Sequence, residues 1–217
     1  MPYKLYLFDM DGTIADTDLA IVLTFVDLYK KYDPKAKPSI NDLVSFSGPP
    51  IKESLLKCFP NLEQEPIFKD FCVWSVNYYK KYTTTYEYVR ELFKKLKEQG
   101  NYVGIVTGKR ADTCYDCIDT LNIKDYLDVV ISFSDVKKGK PDPEGIIKAM
   151  GKFPDIKKEE TLYIGDNFND YLAAKNAGID SMIVTWGPRK MSKDIKPTYF
   201  IDSFKDFFEV ISNGKNN

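Results

Sequence analysis

The chain has 217 residues, 43% hydrophobic and 29% charged, and its 31 Lys and Arg against 32 Asp and Glu leave a net charge of −1. That length suits one large domain or two modest ones, and the balanced charge offers no basic field to nucleic acid. Histidine is absent, which removes His general bases, Ser-His-Asp triads, phosphohistidine chemistry and His-ligated metals; acids, bases and nucleophiles must be carboxylates, hydroxyls, thiols or lysines.

The first predicted element is a strand at Leu5–Phe8. From about Thr17 to Thr85 helical periods replace strands, over Leu19, Val22, Leu23, Val26 and Tyr29, over Ile51, Leu55 and Phe59, and over Ile67, Phe71, Trp74 and Tyr78. Strands then follow at Tyr102–Val106, Val129–Ile131, Thr161–Ile164 and Ser181–Val184. Helices fall between and after them: Val89, Leu92, Phe93 and Leu96 closed by Gly100, the face Cys114, Cys117, Ile118 and Leu121, a short one at Ile147–Met150, residues 169–177 ending at Gly178, and Phe204, Phe207, Phe208 and Ile211. The strands lack polar alternation, as expected when both faces are covered. The predicted fold class is α/β, a parallel sheet flanked by helices and joined by right-handed crossovers. Residues 16–85 read as an inserted all-α domain and residues 1–15 and 86–217 as the core. The tethers, near Ala15–Thr17 and Thr83–Tyr86, would let the insertion hinge over the first strand's carboxyl end.

The four cysteines make no disulfide framework in a chain this large. Cys114 and Cys117 form a C-x-x-C but share a helical face with Ile118 and Leu121, so core packing is expected rather than zinc or redox chemistry. The N-terminal apolar run is too short for a signal peptide, and no stretch is long and apolar enough to span a bilayer. A cytoplasmic protein without membrane or nucleic-acid partners is expected, monomeric or a weak homodimer.

The chemistry concentrates at strand ends. Phe8-Asp-Met-Asp-Gly-Thr13 follows the first strand, and carboxylates at i and i+2 fall on one side of an extended backbone. Two adjacent anions need a cation or a shared proton, and Mg²⁺ prefers such hard oxygen ligands. Gly12 permits a sharp turn, and Thr13 offers a hydroxyl and an N–H to an anion. A solvated acidic turn would hold the same residues, so the other strand ends decide. An EF-hand fits poorly, because its glycine belongs at the sixth position and a Glu should close the loop. Residues 104–110 have one residue too few between the glycines for a P-loop, and Arg where Ser or Thr should hold Mg²⁺. Open α/β sheets bind ligands beyond the carboxyl ends of their strands. Thr107, Gly108 and Lys109 follow the second strand, Lys140-Pro-Asp-Pro143 the third, and Gly165, Asp166, Asn167 and Asp170 the fourth. Taken singly, Lys140 is a residue before a turn, Asp170 a first-turn helix acid and Thr107 a strand end. Gathered on one edge, they are the inventory for binding a phosphoryl group through Mg²⁺.

These four segments, in this order, resemble the motifs of the haloacid dehalogenase superfamily. The resemblance spans essentially the whole chain, and the inserted helices resemble the small helical cap of its phosphoglycolate phosphatase, pyrophosphatase and beta-phosphoglucomutase-like branch. It implies a Rossmann-like core and an aspartyl-phosphate mechanism: Asp9 as nucleophile, Asp11 as general acid and base, Thr107 and backbone N–H groups on the phosphate, and Lys140 balancing charge. Gly12, Thr13, Gly108 and Lys109 would border the phosphate. Mg²⁺ would be held by Asp9, the Asp11 backbone carbonyl and Asp166, with Asp170 close by. The cap loop Ser47-Gly48-Pro49-Pro50 resembles one that faces the active site in such phosphatases. Gly108 stands where phosphoglycolate phosphatases often carry Asn, which weakens transfer of that substrate. The cap has no Arg, so a substrate carboxylate would meet only point charges such as Lys52 or Lys109. The expected activity is Mg²⁺-dependent hydrolysis of a small phosphorylated metabolite, a phosphoglycolate-like monoester or pyrophosphate. A phosphomutase is the alternative, though a cap histidine would be expected there, and a non-catalytic phosphate-binding module is the third reading.

Overall fold

The computed structural model describes residues 2–47, 50–187 and 194–214. The fully buried first strand, β1 (Leu5–Phe8), leads through a two-residue strand, β2 (Ala15–Asp16), into four helices: α1 (Asp18–Tyr32), α2 (Ile40–Ser45), α3 (Ile51–Cys58) and α4 (Gln64–Tyr82). The chain returns through β3 (Thr84–Thr85) and then alternates: α5 (Val89–Glu98), β4 (Tyr102–Val106), α6 (Ala111–Leu121), β5 (Val129–Ile131), α7 (Glu144–Met150), β6 (Thr161–Gly165), α8 (Phe168–Ala177), β7 (Asp180–Val184), β8 (Tyr199–Ile201) and α9 (Phe207–Ser212). Six parallel strands form one sheet in the order β5-β4-β1-β6-β7-β8.

This is the predicted α/β architecture, and β1 lies where the strand order reverses, with Phe8 in register with Ile105 of β4 and Ile164 of β6. Asp9, Thr107 and Asp166 therefore leave the sheet along one edge, at the crevice such a reversal opens. Alternation within β1 sorts its side chains between two cores. Tyr6 and Phe8 pack with α5, α6 and α9, whereas Leu5 and Leu7 face α7 and α8. Phe8 lies with its ring centroid 4.9 Å from that of Phe93; burying one such ring contributes about 1.5–3 kcal/mol. Cys114 and Cys117 are buried free thiols in this core, as their helical spacing predicts.

Four elements escape the sequence patterns. Strand β8 has three residues, with Phe200 turned outward and 40% exposed, too short for a periodic signal. Helix α2 buries only Leu43 and is announced by a capping box, Ser39 with Asp42, rather than by an apolar stripe. Strands β2 and β3 pair antiparallel at the two predicted tethers, Ala15 opposite Thr85. The apolar face expected for α1 is also shifted: Leu19 is 50% exposed, and the buried residues are Ala20, Ile21, Thr24, Phe25 and Leu28. Packing against α4 selects the stripe, and Phe25 packs on Phe46 and Phe71. Helices α1–α4 thus share an apolar cluster of their own. Among the described residues, no helix is long and apolar enough to cross a membrane.

The loop bearing Lys140 is pinned from α7. Glu144 Oε2 accepts the N–H groups of Lys137 and Lys138 at 3.0 Å each, and Oε1 pairs with Lys148 at 2.7 Å. The Lys148 side chain and the two N–H groups hold the Glu144 carboxyl down at about 2. A depressed folded value means the stabilisation is full above the unfolded carboxyl's value and is lost as pH falls toward 2. Glu144→Gln should therefore melt below the parent at pH 7, the gap narrowing between pH 4.5 and 2 in thermal scans.

Candidate active site

Each acid owes its position to a local backbone device. Asp9 continues β1 and donates its N–H to Ile164 O at 2.8 Å, which anchors it against β6. Its Oδ1 lies 2.7 Å from Lys140 Nζ, and the same ammonium reaches Asp170 Oδ1 at 2.6 Å. Asp170 is the third residue of α8 and completes a capping box with Asn167, so Oδ2 accepts the N–H groups of Asp166 and Asn167 at 3.0 and 3.2 Å. It is fully buried, which goes beyond a helix-dipole acid. Gly165 makes the room: a Cβ there would stand 2.4 Å from the Asp170 side chain. Gly165→Ala should displace the Asp170 carboxylate and cost about 1–3 kcal/mol of stability, together with most of the turnover, measured by thermal unfolding and steady-state rate.

One member of this cluster was invisible in the sequence. The Tyr163 hydroxyl accepts from Lys140 Nζ at 3.1 Å and lies 2.9 Å from Val106 O and 3.3 Å from Asp170 Oδ1. In the sequence it reads as another apolar strand position; only the register of β6 beside β1 and Lys140 reveals it. Burial works against the Lys140 charge, but Asp170 and Asp9 hold its ammonium well above the usual lysine range. For Asp9, burial and the Asp170 and Asp166 carboxylates outweigh Lys140 and push its carboxyl up to about 8.

Asp11 faces another set of partners. The turn wraps the backbone around Met10 O, which accepts the N–H groups of Thr13, Ile14 and Ala15, with Gly12 at φ +78°. Asp11 Oδ1 then receives Thr17 Oγ1 at 2.6 Å and lies 3.0 Å from Lys109 Nζ. Thr17 is the N-cap residue of α1, yet its side chain makes no cap bond. Lys109 Nζ sits 3.5 Å from the centroid of the Tyr79 ring on α4, a cation–π contact tying the core loop to the inserted helices. Thr17 and Tyr79 were also missed; neither carries a spacing signal, because both meet Asp11 and Lys109 only through the fold. Thr107 is buried, its Oγ1 accepting Lys109 N–H at 3.2 Å. Gly108 borders the cavity, where a Cβ would meet nothing within 4 Å. The buried Thr13 hydroxyl has no hydrogen-bond partner among the described residues. Gly48 and Pro49 lie outside the described residues.

Asp9, Asp166 and Asp170 each offer a carboxylate oxygen within 4.8 Å of the others, and all three are buried. Lys140 pairs with two of these three carboxylates, which leaves net negative charge, so the set fits a hard divalent cation in charge and donor type. The Asp11 carboxylate is not part of this trio. Above the acids opens a cavity of about 250 Å³ bordered by Asp9, Asp11, Lys109 and Lys140 below and by residues of α1, α3 and α4 on the far side.

The family described as haloacid dehalogenase-like hydrolase matches residues 6–184. The chain is 31% identical to pyrophosphatase PpaX of Halalkalibacterium halodurans over 97% of its own length and 98% of the relative's. It is 32% identical to a pyrophosphatase PpaX of Bacillus cereus over 95% of each. The solved structure of a haloacid dehalogenase-like family hydrolase from Streptococcus pneumoniae shares its fold, with a TM-score of 0.84 at 21% identity over 98% of both chains. The chain belongs to the haloacid dehalogenase-like hydrolase family. Within it, the protein is an enzyme, a hydrolase.

Proposed function

We propose that the chain is a Mg²⁺-dependent phosphatase of small phosphorylated metabolites in the cytoplasm, phosphomonoesters or pyrophosphate, working through an aspartyl-phosphate on Asp9. The observation that carries this reading is the buried Asp9–Lys140 pair beside Asp166 and Asp170 at the base of the cavity. A carboxylate approaches an anionic phosphate only when nearby cations offset the repulsion. Asp9 and Asp166, with Asp170 beside them and the Asp11 backbone carbonyl, would hold Mg²⁺. Once bound, the ion neutralises charge and polarises a phosphoryl oxygen.

In this mechanism Asp9 Oδ attacks phosphorus as the bond to the leaving oxygen breaks, and Asp11 acts as the general acid that gives that oxygen a proton. Water then attacks phosphorus, loses a proton to Asp11 and releases phosphate, restoring Asp9. Lys140 offsets charge on the nucleophile, while the Thr107 and Thr13 hydroxyls and the backbone N–H groups beyond β1 and β4 take the phosphate oxygens. Residues 16–85 act as a cap over a core of 1–15 and 86–217, hinged at the β2–β3 ribbon. Pyrophosphate enters as a candidate from the names of the relatives. Phosphate release from pyrophosphate, phosphoglycolate, nucleotides and sugar phosphates tests the reading. Turnover in Mg²⁺ should vanish with EDTA and return with excess Mg²⁺; turnover indifferent to EDTA would contradict it.

A further inference from the structure

The cavity is polar at its base and apolar on its far wall. Ile21 of α1, Ile51 of α3, Phe68 and Phe71 of α4 and Phe133 beyond β5 line the space facing the acids. The cations at its border are engaged: Lys140 with Asp9 and Asp170, Lys109 with Asp11, and Arg110 with Asp112. Lys52 Nζ lies 4.6 Å from the centroid of the Phe68 ring.

We propose that this cavity selects a phosphomonoester whose leaving alcohol carries a flat apolar group, an aromatic ring, seated against Ile51, Phe68 and Phe71. The inference rests on the phosphatase reading and narrows its substrate class. A second phosphoryl group would meet a single lysine, Lys52, on a wall otherwise built of aliphatic and aromatic side chains, where most of its lost hydration is not replaced. A small hydroxy-acid ester would leave the wall uncovered and in contact with water. An aromatic ring instead buries apolar surface on both sides and meets Phe68 and Phe71 in the edge-to-face or offset arrangements rings prefer. Lys52, above Phe68, adds a cation that such a ring also tolerates.

The test compares 2-phenylethyl phosphate with ethyl phosphate, whose leaving alcohols are of similar basicity, and with pyrophosphate, in Mg²⁺. Calorimetry of the non-hydrolysable pair 3-phenylpropylphosphonate and propylphosphonate gives a readout independent of turnover. The phenyl compound should lead by about tenfold or more in kcat/KM and in Kd. Phe68→Ala should shrink both ratios by about the same factor, with Ile51→Ala as a second variant on a different helix and thermal unfolding as the check on folding. Ethyl phosphate or pyrophosphate turned over as well as the phenyl ester, or ratios unmoved in both variants, would overturn the inference while leaving a working phosphatase. Hydrolysis of none of the three, with neither phosphonate bound, would overturn the inference and the phosphatase reading together.

Discussion

Asp9→Asn is expected to abolish turnover, by at least about 10⁴-fold, because the substitution keeps shape and removes the attacking electron pair. The same variant should not unfold the protein. The Asp9 carboxyl is pushed up to about 8 by burial and by Asp170 and Asp166, so its ionised form opposes folding. A raised folded value means stability declines as pH rises from about 4, the unfolded carboxyl's value, toward 8. In EDTA, Asp9→Asn should therefore melt at or above the parent at pH 8, with the advantage shrinking at pH 5. Loss of activity together with retained or improved metal-free stability separates a chemical role from a structural one. A variant that stays active, or that melts far below the parent at pH 8, would contradict this account.

Lys140→Met should cost both activity and stability. Among the described residues, Lys140 is the one cation paired with both Asp9 and Asp170, at 2.7 and 2.6 Å, and removing one partner of a buried pair typically costs about 3–5 kcal/mol. Turnover should fall by about 10²–10³-fold, the range seen when one preorganised charge or donor is removed. Because the residual deficit is one of positive charge, Mg²⁺ should raise the melting temperature of Lys140→Met more than that of the parent. Equal shifts in parent and variant would show that Lys140 and the metal do not share the same carboxylates.

The sequence carried the frame of this site because its signals are short-range. Five sheet strands are continuous apolar runs, and Asp9, Thr107, Lys140 and Asp166 each follow a strand or its loop at a spacing readable from the residues. Parallel order then brings them to one edge without further information. What was illegible depends on contacts distant in the chain. Tyr163 braces Lys140 across 23 positions, and Tyr79 meets Lys109 only because α4 packs back toward the sheet edge. Thr17 is legible in the sequence as part of a tether but not as the partner of Asp11. The buried stripe of α1 was misplaced for a related reason: Val, Leu and Ile occur on several sides of that helix, and packing against α4 chooses among them. Strand β8 and helix α2 are too short for periodicity to outweigh chance.

The central claim is that Asp9 forms the bond to phosphorus. Borohydride added during turnover in Mg²⁺ reduces an acyl phosphate to the alcohol, a change that peptide mass spectrometry locates. Reduction is expected at Asp9, dependent on substrate and absent in Asp9→Asn. Steady turnover with Asp9 unmodified, or reduction at another carboxylate, would contradict it.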